Sequence, residues 1–158
     1  MPVRVKMLVG GDKLEYDVHE QLTFDPEYVF EELGKQPGQL AWWFSLLAMK
    51  EQEVEDFSLK ISGETARTEL AYRADADALA KIYGKVTEGV ISSLVDNTPD
   101  LIALHEKLNQ LRKEASLLKA MAKGFDSRSA LLATSASAQK AEIQARLRSL
   151  IKKTEGGN

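Results

Sequence analysis

The chain has 158 residues, about one domain, and its 44 % hydrophobic and 28 % charged content is that of a globular protein rather than a disordered one. With no cysteine, and with only His19 and His105, far apart, disulfides, thiolate sites and imidazole metal clusters are excluded. The net charge of −3 hides a division: residues 1–106 hold 10 Lys+Arg and 20 Asp+Glu, residues 107–158 hold 11 and 4, so −10 is followed by +7.

The first element is a predicted β-hairpin. Val3, Val5, Met7 and Val9 alternate onto one face, Gly10-Gly11 supplies the positive-φ positions of a tight turn, and Leu14 to Val18 forms the return strand. A lone hairpin is marginal in water, so it either packs on helices or pairs with another copy. Asp25-Pro26-Glu27 starts a short helix, with Asp25 as cap, and Gly34 with Gln36-Pro37-Gly38 is expected to end it.

From Leu40 a long helix is predicted, with Leu40, Trp43, Leu47, Val54, Phe57, Ile61 and Thr68 on a heptad seam and Lys50 and Glu64 as its polar interruptions. Roughly 35 residues at 1.5 Å each make about 50 Å, too long for a compact interior, and Gly63 is the candidate break. A short helix capped by Thr87 ends near Asn97, and Thr98-Pro99 restarts the chain.

The clearest pattern follows. Leu101, Leu104, Leu108, Leu111, Ala115, Leu118, Ala122, Phe125, Ser129, Leu132 and Ala136 keep an unbroken 3-4 spacing, predicting one helix over 100–137 that tolerates Gly124; the alternative is two helices hinged there. Thr134 to Ala138 is either a close helix contact or a joint. Lys140 to Lys153 is a basic amphipathic segment with Ile143, Leu147, Leu150 and Ile151 as its apolar positions, before a frayed end. The fold class is mainly α, with long heptad-patterned helices in an oligomeric assembly and an N-terminal β-hairpin. Its predicted organisation is a hairpin appendage (1–22), a helical core (23–138) and a basic C-terminal segment (139–158).

No catalytic constellation is present. Glu31/Glu32, Glu51/Glu53/Glu55 and Asp75/Asp77 lie in charged stretches where burial cannot raise a carboxyl pKa, and Gly10-Gly11 lacks the lysine spacing of a phosphate loop. No enzyme activity, cofactor or metal is expected. Trp42-Trp43-Phe44 is either a base-stacking platform or core packing; adjacent tryptophans cannot share one seam, which leaves Trp42 to face a partner. The basic residues Lys119, Lys123, Arg128, Lys140, Arg146, Arg148, Lys152 and Lys153 are either a solvated helix face or phosphate contacts. Two extended seams predict oligomerisation, with Trp43, Leu47, Leu104, Leu108, Leu111, Leu118 and Phe125 at the interface. No run of about 18 apolar residues exists and the N-terminus lacks signal-peptide features, so a cytoplasmic location without a membrane partner is expected.

Leu22-Thr23-Phe24-Asp25-Pro26-Glu27, Leu40-Ala-Trp-Trp43, Lys85-Val-Thr87-Glu88, Val95 to Ile102 and Leu117 to Arg128 together resemble, in order and spacing, the T4-type phage recombination mediators, the UvsY family. The resemblance covers roughly residues 22–135. It implies a non-enzymatic, helix-rich ring of about six or seven subunits. Such a ring binds single-stranded DNA, loosens single-strand-binding protein and helps a recombinase load. The family's Lys-x-Arg DNA contact falls near Ala66-Arg67, where only Arg67 is matched. The expected contact therefore moves to the C-terminal third: Lys123, Arg128, Lys140, Arg146, Arg148, Lys152 and Lys153, with Arg67 as the outlier. The alternative is a coiled-coil scaffold or assembly adaptor with no nucleic-acid role.

Overall fold

The computed structural model describes residues 4–155, with side chains through Lys152; Val3, the Lys153 side chain and residues 156–158 lie outside the described residues. In chain order the elements are β1 (Arg4–Val9), β2 (Asp12–Asp17), α1 (Val18–Leu22), a 3-10 turn (Pro26–Tyr28), α2 (Val29–Ala74), α3 (Ala76–Tyr83), α4 (Glu88–Asp96) and α5 (Pro99–Glu155). The fold is mainly α, with two long helices and an N-terminal antiparallel hairpin.

Local chemistry explains the hairpin and most helix starts. Gly10 and Gly11 sit at φ of 59° and 90°, the left-handed pair that a two-residue hairpin turn requires. The strands then pair Val5 with Tyr16 and Met7 with Leu14. Strand β2 stops one residue earlier than the alternation predicts, because the Asp17 carboxylate accepts from the His19 amide at 2.9 Å and caps α1. Asp25 caps the turn at Pro26 through the Glu27 amide, and Thr87 caps α4 through Val90. Pro99 opens α5, while the Thr98 hydroxyl bonds the Leu94 carbonyl and the Tyr72 hydroxyl.

The expected break at Gly34–Gly38 does not occur. Helix α2 runs through Gly34, Pro37 and Gly38, and also through Gly63. Residues on both sides of the proline are pinned: before it Val29 is buried with Leu132 and Ala136, and Gln36 is buried and donates to the Phe125 carbonyl at 2.6 Å; after it Trp43 and Leu47 are buried in the first core. Tertiary packing outweighs one lost helical hydrogen bond and the glycine propensity of about 1 kcal/mol each. Helix α5 likewise passes Gly124 and the small residues at 134–138 without a joint.

The chain divides into two compact units: Met1–Leu47 with Leu118–Asn158, and Ala48–Leu117. In the first, the inner face of the hairpin (Val5, Met7, Val9, Tyr16) packs with Trp43 and Leu47 of α2 and with Leu118, Met121, Ala122 and Phe125 of α5. Trp43 is its centre, edge-on to Tyr16 with ring centroids 4.8 Å apart and 5.6 Å from Phe125. Burial pushes the Tyr16 hydroxyl up to about 12, since its oxygen is interior and lacks a hydrogen-bond partner. In the second unit Ile91 and Val95 of α4 close over Leu101, flanked by Tyr72, Val86 and Leu104. Lys50, at a seam position there, is wholly buried between Glu114 at 2.7 Å and Glu53 at 2.8 Å. Burial alone would lower its ammonium pKa, but the bonds to Glu114 and Glu53 outweigh it and hold the group above its ordinary value.

These cores correct the interface assignment. Trp43, Leu47, Leu118 and Phe125 are interior to the first unit, while Leu108 and Leu111 are buried and Leu104 half-buried in the second. Trp43, Leu47, Leu108, Leu111, Leu118 and Phe125 are thus covered within the chain itself, and Leu104 in part. Periodicity measured the need for burial but not the source of the cover.

Candidate nucleic-acid interface

The expected cations fall into three environments. Arg128 is 4 % exposed. Its guanidinium donates to Glu32 at 2.6 Å, to Gln36, and to Gln39 at 3.2 Å, and it lies 5.7 Å from the Phe24 ring centroid and 5.6 Å from that of Phe125. Where this cluster reaches solvent, a cleft of about 550 Å³ is bordered by Glu20, Asp25 and Glu32. Glu20 and Asp25 line it beside the Arg128–Glu32 pair, so the cleft offers phosphate no excess positive charge. Arg128 is therefore a structural cation and not a DNA contact, correcting the sequence expectation. The heptad rule marks Ser129 as the seam residue and leaves Arg128 beside it; nothing local revealed that Glu32, 96 positions away, would receive it.

Arg67 is exposed on α2 but is held at 2.9 Å by Glu64, three residues before it. In that acidic helix it forms a local pair rather than part of a basic patch.

The third environment is the exposed surface of α5. Lys119 and Lys123 are exposed, and every residue from Lys140 to Lys152 is exposed. At about 100° per residue, Lys119, Lys123, Arg148 and Lys152 fall within about 60° of one another, on the side away from the buried seam. Between them that face carries Ala130, Ser137 and Ala141, small side chains, with Asp126 as its acid. The four cations form two pairs, Lys119 with Lys123 and Arg148 with Lys152, each one turn apart, and about 37 Å of helix separates the pairs at 1.5 Å per residue; each pair is a place where a phosphate backbone can be held. Lys119 joins this set by its angular position. Lys140 instead borders the apolar stripe, and Arg146 lies on the opposite flank, bonded to Glu142 at 2.6 Å. Lys153 lies outside the described residues.

The apolar stripe of the same segment, Ile143, Leu147, Leu150 and Ile151, is also exposed. It continues the line of Leu132 and Ala136, whose cover comes from Val29; the Gln139 side chain still reaches the Pro26 carbonyl at 2.6 Å. Trp42 is 48 % exposed and packs edge-on against Trp43, as adjacency on one helix requires. Among the described residues no His, Asp and Glu side chains form a group of three or more that could hold a metal ion, and no helix is long and apolar enough to cross a membrane.

No protein-family model, curated protein or solved structure matches this chain.

Proposed function

We propose that the protein is a non-catalytic, single-stranded DNA-binding recombination mediator that acts in the cytoplasm. The observation that supports this reading best is the two exposed cation pairs on one face of α5, Lys119 with Lys123 and Arg148 with Lys152. The resemblance to the UvsY family supplies the partners: single-strand-binding protein, which the mediator loosens, and a phage recombinase, which it helps to load. A mediator of this kind works by binding the recombinase-competent form of the strand better than the covered form, because only differential affinity shifts such an equilibrium. Assembly into a ring would bring together the cation pairs of several chains and raise affinity through multivalency.

Fluorescence anisotropy with labelled single-stranded DNA tests the reading. Four phosphate contacts per chain give a slope of log affinity against log salt of about −2.8 per bound chain, at about −0.7 per contact. Absence of binding at low salt overturns it.

The exposed stripe Ile143, Leu147, Leu150 and Ile151 favours a second reading, a coiled-coil scaffold or adaptor whose C-terminal segment docks on another protein. DNA binding contributes no cover for this stripe. A chain that self-associates but ignores DNA at low salt would support the scaffold.

A further inference from the structure

We propose that the second compact unit holds a binding site for a small phosphate monoester bearing hydroxyl groups, a sugar phosphate, in the groove between α2 and the first turns of α5. The site is independent of whether nucleic acid is a partner.

Within residues 48–117 a cavity of about 530 Å³ opens between Lys60, Glu64 and Thr68 of α2 and Asp100, Leu101, Leu104 and Lys107 of α5. Small-ligand pockets occupy about 300–1,000 Å³. The two cations converge from different helices: Lys60 and Lys107 stand 5.9 and 5.2 Å from the centroid of one ring, Phe57. Neither forms an ion pair with a described residue. A carboxylate is within reach, because Glu64 follows Lys60 by four residues, the spacing at which such pairs form on a helix. Glu64 instead gives its two oxygens to Arg67, at 2.9 and 3.1 Å. Two ammonium groups gathered over one ring repel each other, and a dianion between them relieves that repulsion. A phosphate monoester carries about −1.5 to −2 at pH 7, more than the single charge of a carboxylate.

The other end of the groove offers acceptors. The contacts Phe57–Lys107 and Tyr72–Thr98 set α2 and α5 antiparallel, so Thr68 and Asp100 share the end away from the lysines, with Glu64 between. Asp100 precedes Lys107 by seven residues, about 10 Å of helix, which sets the length of the ligand. The Asp100 carboxylate has no hydrogen-bond partner among the described residues, and Glu64 has lone pairs beyond those Arg67 uses. Sugar hydroxyls donate to such oxygens without adding charge. Leu101, buried, and Leu104, half-buried, give the groove an apolar wall for the C–H face of the sugar. Because Arg67 offsets Glu64, the two lysines face Asp100 alone and the groove keeps an excess of positive charge.

The test is isothermal titration calorimetry of the full chain with ribose 5-phosphate, glucose 6-phosphate and glycerol 3-phosphate. At least one should bind saturably, about tenfold more tightly than inorganic phosphate, while ribose alone should not bind. Lys60→Gln and Lys107→Gln, both at exposed positions, should each weaken binding about tenfold with the melting temperature unchanged. Asp100→Asn should hold inorganic phosphate at least as tightly as the wild type yet lose the preference for the sugar ester. Absence of binding by all three esters at millimolar concentration overturns the proposal. So does binding that either lysine variant keeps at wild-type strength, or inorganic phosphate held as tightly as the esters.

Discussion

Replacing Arg128 by methionine keeps most of the side-chain volume between Phe24 and Phe125 but removes the guanidinium. Its partners then lose their donor: Glu32 keeps only 22 % of its side-chain surface exposed, and the wholly interior Gln36 loses its acceptor contact. Breaking a buried pair by deleting one partner costs about 3–5 kcal/mol. Because Glu32 can be partly rehydrated and the Arg128 Nε has no hydrogen-bond partner to lose, the expected cost lies near the lower bound, about 3 kcal/mol. That is a large part of the 5–15 kcal/mol typical of a domain. Urea unfolding monitored by circular dichroism should show a lower midpoint with an unchanged slope. Arg128→Met/Glu32→Leu should recover most of the loss, since no unpaired charge remains. The affinity of folded Arg128→Met for single-stranded DNA should equal that of the wild type. A stability change below about 1 kcal/mol, accompanied by weakened DNA binding, would refute the structural role and return Arg128 to the phosphate contacts.

Charge reversal at Arg148 and Lys152, both exposed, should leave the melting temperature unchanged and reduce the salt slope by about 1.4; Arg146→Glu, on another face, should change the slope less. Tyr16→Phe should be neutral or stabilising at pH 7, because the buried hydroxyl has no partner. The same residue predicts alkaline sensitivity: with the folded pKa pushed up to about 12, its contribution is intact below the unfolded pKa near 10. It falls as pH rises from there to about 12, by about 2–3 kcal/mol in all, and Tyr16→Phe should abolish that decline. Gly63→Ala meets open space in α2 and should stabilise by up to about 1 kcal/mol, whereas at Gly124 a Cβ would stand 2.9 Å from a Leu22 methyl, so the alanine should show no gain. Thermal denaturation of the two alanine variants, measured together, decides this pair.

What the sequence determined by itself was set by interactions within a few residues. The Gly10-Gly11 turn, the caps at Asp25 and Thr87, the start at Pro99 and the 3-4 spacing that fixes the buried face of α5 all have local causes, and all are present in the structure. Tertiary structure decided what the two seams pack against. Heptad spacing states that a face must leave water and is silent about whether the cover comes from the same chain or another. Here Trp43, Leu118 and Phe125 find one another across some eighty positions of sequence. The same distance hid the fates of two buried polar residues. Gln36 looked like a helix-ending residue beside Pro37 until the Phe125 carbonyl received it, and Arg128 looked like surface charge until Glu32 did. A cation's residue type fixes its charge, but burial and the partner at hand decide whether that charge holds the fold together or faces a ligand. On α5 the two outcomes lie on one helix, with Arg128 inside and Arg148 in solvent.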